Sequence, residues 1–213
     1  MARITPGTFP GPAGQLEFIL NEPDEGAVAR AAVVCHPHPL YGGTMHTRIV
    51  YQTAQVMLAM GWPVLRFNFR GVGRSEGAYD RGRGEQEDAR AAMAYLRSLH
   101  PVPLTLAGFS FGATVVAQLL AADAPPEVAG AVLLGLPVDR GELPAAWQWR
   151  GPKLLISGDH DEYASVAGLN AYFARLAEPK ACAWIPGGDH FMAQQLDPYR
   201  SALRLGLVAM TAG

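Results

Sequence analysis

Lysine is nearly absent from this 213-residue chain: of 17 basic residues only Lys153 and Lys180 are lysines, and the arginines form no basic block. Against 19 acidic residues the net charge is −2. No surface that would attract nucleic acid is expected. Cysteine is equally scarce. Cys35 and Cys182 are the two present, each inside an apolar run. They read as buried thiols in a reducing, cytoplasmic compartment and not as a disulfide framework. Long apolar runs are missing too: the longest, Val128 to Val138, falls well short of the roughly 20 residues that cross a bilayer. No membrane partner is therefore expected. The start of the chain has a lone Arg3 and no apolar stretch of the kind a signal peptide carries. No segment repeats, and none is of low complexity.

Glycine and proline are abundant instead, at 24 and 17 residues. The glycines follow no three-residue period, so a collagen helix is excluded. With 49% hydrophobic and 17% charged residues, the chain can bury a substantial core and is no disordered polymer. Its length and the lack of a Ser/Pro/Gly-rich linker predict one domain spanning residues 1–213.

Periodicity predicts strands over Gln15–Leu20, Ala31–Cys35, Pro63–Phe67, Leu104–Phe109, Gly130–Leu136, Lys153–Ser157 and Ala181–Ile185. Helices are predicted over Thr47–Met60, Glu85–Leu99, Phe111–Ala122, Ser165–Leu176 and Pro198–Met210. The second helix opens with Glu85, Glu87 and Asp88, as its dipole favours, and its expected buried stripe is Ala89, Ala92, Met93, Leu96 and Leu99. Solidly apolar strands alternating with helices imply an α/β fold, with a mostly parallel sheet covered on both faces. Ligands of such sheets bind beyond the carboxyl ends of the strands. Chemistry is therefore expected just after Cys35, Phe67, Phe109, Leu136, Ser157 and Ile185.

One such place holds Gly108-Phe109-Ser110-Phe111-Gly112, a G-x-S-x-G between a strand and a helix. The spacing has a mechanical cause: a serine on a strained strand-to-helix turn needs small residues two before and two after it. Its hydroxyl then projects above the sheet at a helix N-terminus, where negative charge is favoured. The other use of such a serine is to cap the helix.

Here the chain resembles the α/β-hydrolase superfamily from about Gln15 to Met210. The resemblance rests on the element order, on the elbow, and on Asn68-Phe69-Arg70-Gly71-Val72-Gly73-Arg74-Ser75, which is similar to that superfamily's D-x-R-G-x-G-x-S loop with Asn in place of Asp. His36-Pro37-His38-Pro39-Leu40-Tyr41-Gly42-Gly43 is similar to a small lidless branch of bacterial hydrolases. The resemblance implies Ser110 as nucleophile, an acid after a later strand, and then a histidine. His190, in Gly187-Gly188-Asp189-His190-Phe191, matches the base, and Asp161, in Gly158-Asp159-His160-Asp161, matches the acid. Asp159 and Asp139 compete for the acid's role. The oxyanion donors implied are the backbone N–H of Phe111 and one from the loop after Cys35. Pro37 and Pro39 have no N–H, so His38 is the first choice there and Leu40 the second.

A rival reading makes His36 and His38 metal ligands with Asp159, His160 and Asp161. It leaves the serine elbow unexplained, and no metal or cofactor is expected. A phosphate loop at Arg70–Gly77 lacks the G-x-x-x-x-G-K-[ST] spacing. Between Leu136 and Lys153 there is room for a loop and not for a cap domain. The expected partner is a small ester or thioester substrate, bound by Leu40, Tyr41, Trp147, Trp149 and Met192. The two tryptophans could equally cover the edge of the core. A small serine peptidase and a silent binding module on the same fold remain alternatives, and the oligomeric state is not legible.

Overall fold

Strands that are apolar on both sides demand a covering layer on each face, and the computed structural model has that arrangement. It describes residues 2–24, 26–140, 142–145, 147 and 149–211. Eight strands form one sheet: β1 (Arg3–Gly11), β2 (Gly14–Glu22), β3 (Ala31–Cys35), β4 (Val64–Phe67), β5 (Leu104–Phe109), β6 (Val128–Leu134), β7 (Lys153–Gly158) and β8 (Lys180–Ile185). Their order across the sheet is β1-β2-β4-β3-β5-β6-β7-β8. β1, β2 and β4 pair antiparallel, and every pairing from β4 to β8 is parallel.

The helices are α1 (Arg48–Ala59), α2 (Arg83–Leu99), α3 (Phe111–Asp123), α4 (Val166–Ala174) and α5 (Leu196–Thr211). Alternation along β3 shows how the two layers are fed. Ala31, Val33 and Cys35 enter the core cluster shared with α2, α3 and α4, while Ala32 and Val34 enter the one shared with α1 and α5. Among the described residues there is no cap domain between β6 and β7, and no helix is long and apolar enough to cross a membrane. Gly141, Ala146 and Gln148, inside the Pro137–Pro152 connection, lie outside the described residues.

Differences from the sequence expectations have physical causes. β1 is unanticipated, because Pro6, Gly7, Pro10 and Gly11 argue against a strand. It is an edge strand, where a missing N–H is tolerated. Phe9 anchors it by stacking on Tyr95 at 5.1 Å. Leu99, expected in the buried stripe of α2, is 47% exposed in the helix's last turn. β6 stops at Leu134, because Gly135 turns out of the strand with φ +50°. Cys35 is buried as expected, and Cys182 is only half-buried.

The acids opening α2 do more than complement its dipole. The buried Glu85 carboxylate accepts the N–H groups of Asp80 and Gly82 at 2.8 and 2.7 Å. Asp88, also buried, takes Arg70 in a two-point ion pair at 3.0 and 2.8 Å. Both carboxylates thereby fix the loop that runs from β4 to α2.

In that same loop the exchange of Asp for Asn has a partner. Asn68 Oδ1 accepts Met45 N–H at 2.9 Å, and Nδ2 donates to Glu17 Oε2 at 2.8 Å. Asn68→Asp would set two carboxylates against each other with Asn68 buried. A loss of about 1–3 kcal/mol at neutral pH is expected. The folded variant holds a proton that the unfolded chain releases, so the deficit grows as pH rises and shrinks toward pH 5. Thermal melts of both proteins across that range measure it.

Candidate active site

The turn between β5 and α3 is built so that only glycine fits on either side of Ser110. A Cβ on Gly108 would clash with the Gly112 carbonyl oxygen, and one on Gly112 with that of Cys35. Ser110 itself has φ +55° and ψ −117°, a strained conformation for a side-chain-bearing residue. Its N–H donates to Leu134 O at 2.8 Å, pinning the turn to the end of β6.

Two further loops converge on its hydroxyl. With its proton on Nδ1, His190 accepts Ser110 Oγ–H at Nε2 across 2.9 Å and donates from Nδ1 to Asp161 Oδ2 and Oδ1 at 2.9 and 3.0 Å. Asp161 and His190 are both buried. The Asp161 rotamer is fixed by Tyr163 N–H on Oδ1 at 2.8 Å and by Ser157 Oγ on Oδ2 at 3.3 Å. The imidazole lies between Phe109 and Tyr163, with ring centroids 5.0 and 4.6 Å away, and Phe191 meets it edge-on at 5.2 Å.

The competing carboxylates are occupied elsewhere. Asp159 Oδ1 accepts Gly187 N–H at 2.7 Å and so braces the histidine loop. Asp139 Oδ2 accepts Ser165 N–H at 2.6 Å, at the start of α4. Of the three, Asp161 is the one that touches His190.

Against Phe111, the residue after Ser110, lies the loop that follows β3, whose 3-10 turn spans Pro39–Tyr41. Leu40 N–H donates to His38 Nδ1 at 3.2 Å. Among the described residues the N–H groups of His38 and Phe111 have no hydrogen-bond partner. The His38 ring sits 4.9 Å from that of Phe111, so the two free donors belong to neighbouring residues. His36, by contrast, is consumed by structure. Its Nδ1 donates to Pro37 O at 2.6 Å, Nε2 accepts Phe69 N–H at 3.0 Å, and burial pushes its pKa down to about 4. With both nitrogens taken, His36 cannot pair with His38 on a metal. Among the described residues no group of three or more His, Cys, Asp or Glu is gathered in a way that could hold one.

An alpha/beta hydrolase domain model matches residues 31–201. The chain belongs to the alpha/beta hydrolase family. A solved Xanthomonas campestris structure described as an α/β serine hydrolase without a lid is 33% identical, with a TM-score of 0.88, over 97% of this chain and 94% of that one. A Coxiella burnetii α/β serine hydrolase homologue is 32% identical, with a TM-score of 0.86, over 95% and 97%. An uncharacterized protein of Rickettsia prowazekii is 31% identical over 95% of this chain and 88% of its own.

In this hydrolase the residues expected to bind substrate divide. Leu40 and Tyr41 are 67% and 86% exposed beside His38. Trp147 and Trp149 are a correction. Trp147 is 1% exposed and stacks on Trp149, and both rings lie over the Lys153 ammonium at 5.8 and 5.3 Å. That ammonium donates to Ala177 and Pro179 carbonyls at the entry to β8. β7 is about 17 Å long, and these rings occupy the end opposite Ser110. Met192 is also corrected: at 2% exposure it packs with Phe109 and Ile185 beneath the histidine loop. Sequence reasoning missed Tyr79, whose hydroxyl bonds His38, and Tyr163 and Phe191, which flank His190. Phe191 stands next to the histidine in the chain and Tyr163 two residues after Asp161, so both had a sequence signal; Tyr79 is brought in by loop geometry.

Proposed function

We propose that this hydrolase is a serine esterase that cleaves small carboxylic esters or thioesters through an acyl-enzyme. The observation that carries the reading is the hydrogen-bonded chain from Ser110 through His190 to Asp161 at the carboxyl edge of the sheet. A serine hydroxyl is a weak nucleophile until a base removes its proton, and the base needs an orienting acid. Ser110 Oγ attacks the carbonyl carbon while its proton passes to His190 Nε2. Asp161 stabilises the imidazolium. Phe111 N–H and His38 N–H hold the oxyanion, with the N-terminus of α3 behind it. The intermediate collapses as His190 hands its proton to the departing alcohol or thiol. Water, deprotonated by the same nitrogen, then attacks the acyl-enzyme and releases the carboxylic acid.

The similarity to a lidless serine hydrolase supports an open site. So do the exposed Leu40 and Tyr41 beside His38 and the exposed Phe191 against the His190 ring. An open rim gives short acyl groups enough contact and long chains little enclosure. Fluorophosphonate labelling combined with a series of p-nitrophenyl esters and acyl thioesters tests the reading. Labelling is expected, with kcat/KM highest for acetate and butyrate and lower for palmitate. Folded protein that takes no label would instead be a silent binding module. Labelling with amide turnover and no ester turnover would make it a peptidase.

A further inference from the structure

The hydrolytic steps above use the backbone of His38 and leave its ring without a task. That ring is nevertheless fully engaged. Nδ1 accepts Leu40 N–H at 3.2 Å, so the ring proton is on Nε2, which lies 3.1 Å from the Tyr79 hydroxyl. The Tyr79 ring also packs against His38 at 5.0 Å and Phe111 at 5.8 Å. Its loop is rigid at this point, because Asp80 and Gly82 N–H both end on the buried Glu85 carboxylate. Burial, which favours the neutral ring, holds the His38 pKa below the ordinary histidine value against the opposing pull of Glu85.

Two N–H groups of this loop compete for one place, those of His38 and Leu40, since Pro37 and Pro39 have none. The ring decides between them. Leu40 N–H can only donate, so it selects the tautomer with a free Nδ1 lone pair. That tautomer must present Nε2–H to something, and a donor left unpaired in a half-buried site is costly.

We propose that Tyr79 is a positioning residue of this hydrolase: by accepting Nε2–H it holds the His38 ring where it ties up Leu40 N–H, leaving His38 N–H as the oxyanion donor. The assignment rests on the acyl-transfer reading. Without the hydroxyl the ring turns toward water, Leu40 N–H is released, and the loop loses the conformation that aims His38 N–H.

Tyr79→Phe keeps the ring and removes the hydroxyl. On p-nitrophenyl acetate its kcat is expected to fall about three- to tenfold, the worth of one hydrogen bond. KM should stay close to wild type, because the oxyanion forms only after binding. His38→Asn supplies the second arm: its side-chain oxygen can take Leu40 N–H but not reach Tyr79. In that background Tyr79→Phe should cause no further loss. Wild-type kcat in Tyr79→Phe, or an equal loss in both backgrounds, would overturn the assignment. Ser110→Ala separates the two claims. If it retains turnover, the acyl-transfer reading itself fails; if it is dead while Tyr79→Phe is silent, only the role of Tyr79 falls.

Discussion

Ser110→Ala is expected to give a folded protein whose kcat on esters is lower by ~10⁴–10⁶ and which takes no fluorophosphonate. On the proposed mechanism the loss is this large because Ser110 Oγ, 2.9 Å from His190 Nε2, is the atom that bonds covalently to substrate. Once it is gone, His190, the backbone donors and the open rim can act only on a water, with no acyl-enzyme to share the barrier. A companion variant checks that the turn, and not merely the hydroxyl, is understood. Ser110 sits at φ +55°, ψ −117°, a region that glycine enters without penalty and alanine does not. Ser110→Gly should therefore be as inactive as Ser110→Ala yet melt at an equal or higher temperature, even though glycine has the more flexible unfolded chain. An alanine variant that still labels would remove Ser110 from the reaction, and a glycine variant that melts well below it would remove strain from the account of the elbow.

The elbow was legible because its constraint is local. Gly108 and Gly112 are required by backbone contacts within a few residues and by the neighbouring end of β3, and a pentapeptide between an apolar run and a helix announces that. The parallel strands were legible for a related reason: both faces are buried, so β3 reads as an unbroken apolar run and β4, β5 and β7 as mostly apolar ones, broken by Arg66, by Thr105, and by Lys153 and Ser157. β1 hid because an edge strand is free to carry prolines. Trp147 and Trp149 were misplaced because hydrophobicity says that a ring is buried and not at which end of a sheet. Both rings pack over the ammonium of Lys153, which stands just after them in the chain and opens β7 at the end of the strand away from the serine. Tyr79 was invisible for a third reason. Its bond to His38 joins residues 41 apart, through a loop whose course depends on the buried Glu85 and on the Arg70–Asp88 pair.

The acid was one part of the site where sequence left a choice, and it carries the second large prediction. Asp161→Asn is expected to lower kcat by ~10³–10⁴ while KM changes little. Tyr163 N–H, 2.8 Å from Oδ1, keeps the amide oxygen on its own side and places the amide nitrogen where Oδ2 stood, 2.9 Å from His190 Nδ1. Facing an N–H donor, the imidazole favours its proton on Nε2, and that nitrogen can no longer accept from Ser110. Positive charge on the ring also loses its neutralising carboxylate. Asp159→Asn and Asp139→Asn should behave differently. Their carboxylates accept Gly187 N–H and Ser165 N–H, and an amide oxygen can do the same. Both should retain kcat near wild type and show, at most, a lower melting temperature. Steady-state kinetics on the three variants, with melting curves run beside them, decide the matter. A large kcat loss in Asp139→Asn with near-normal Asp161→Asn would move the acid to the loop after β6 and break the assignment made from the geometry around His190.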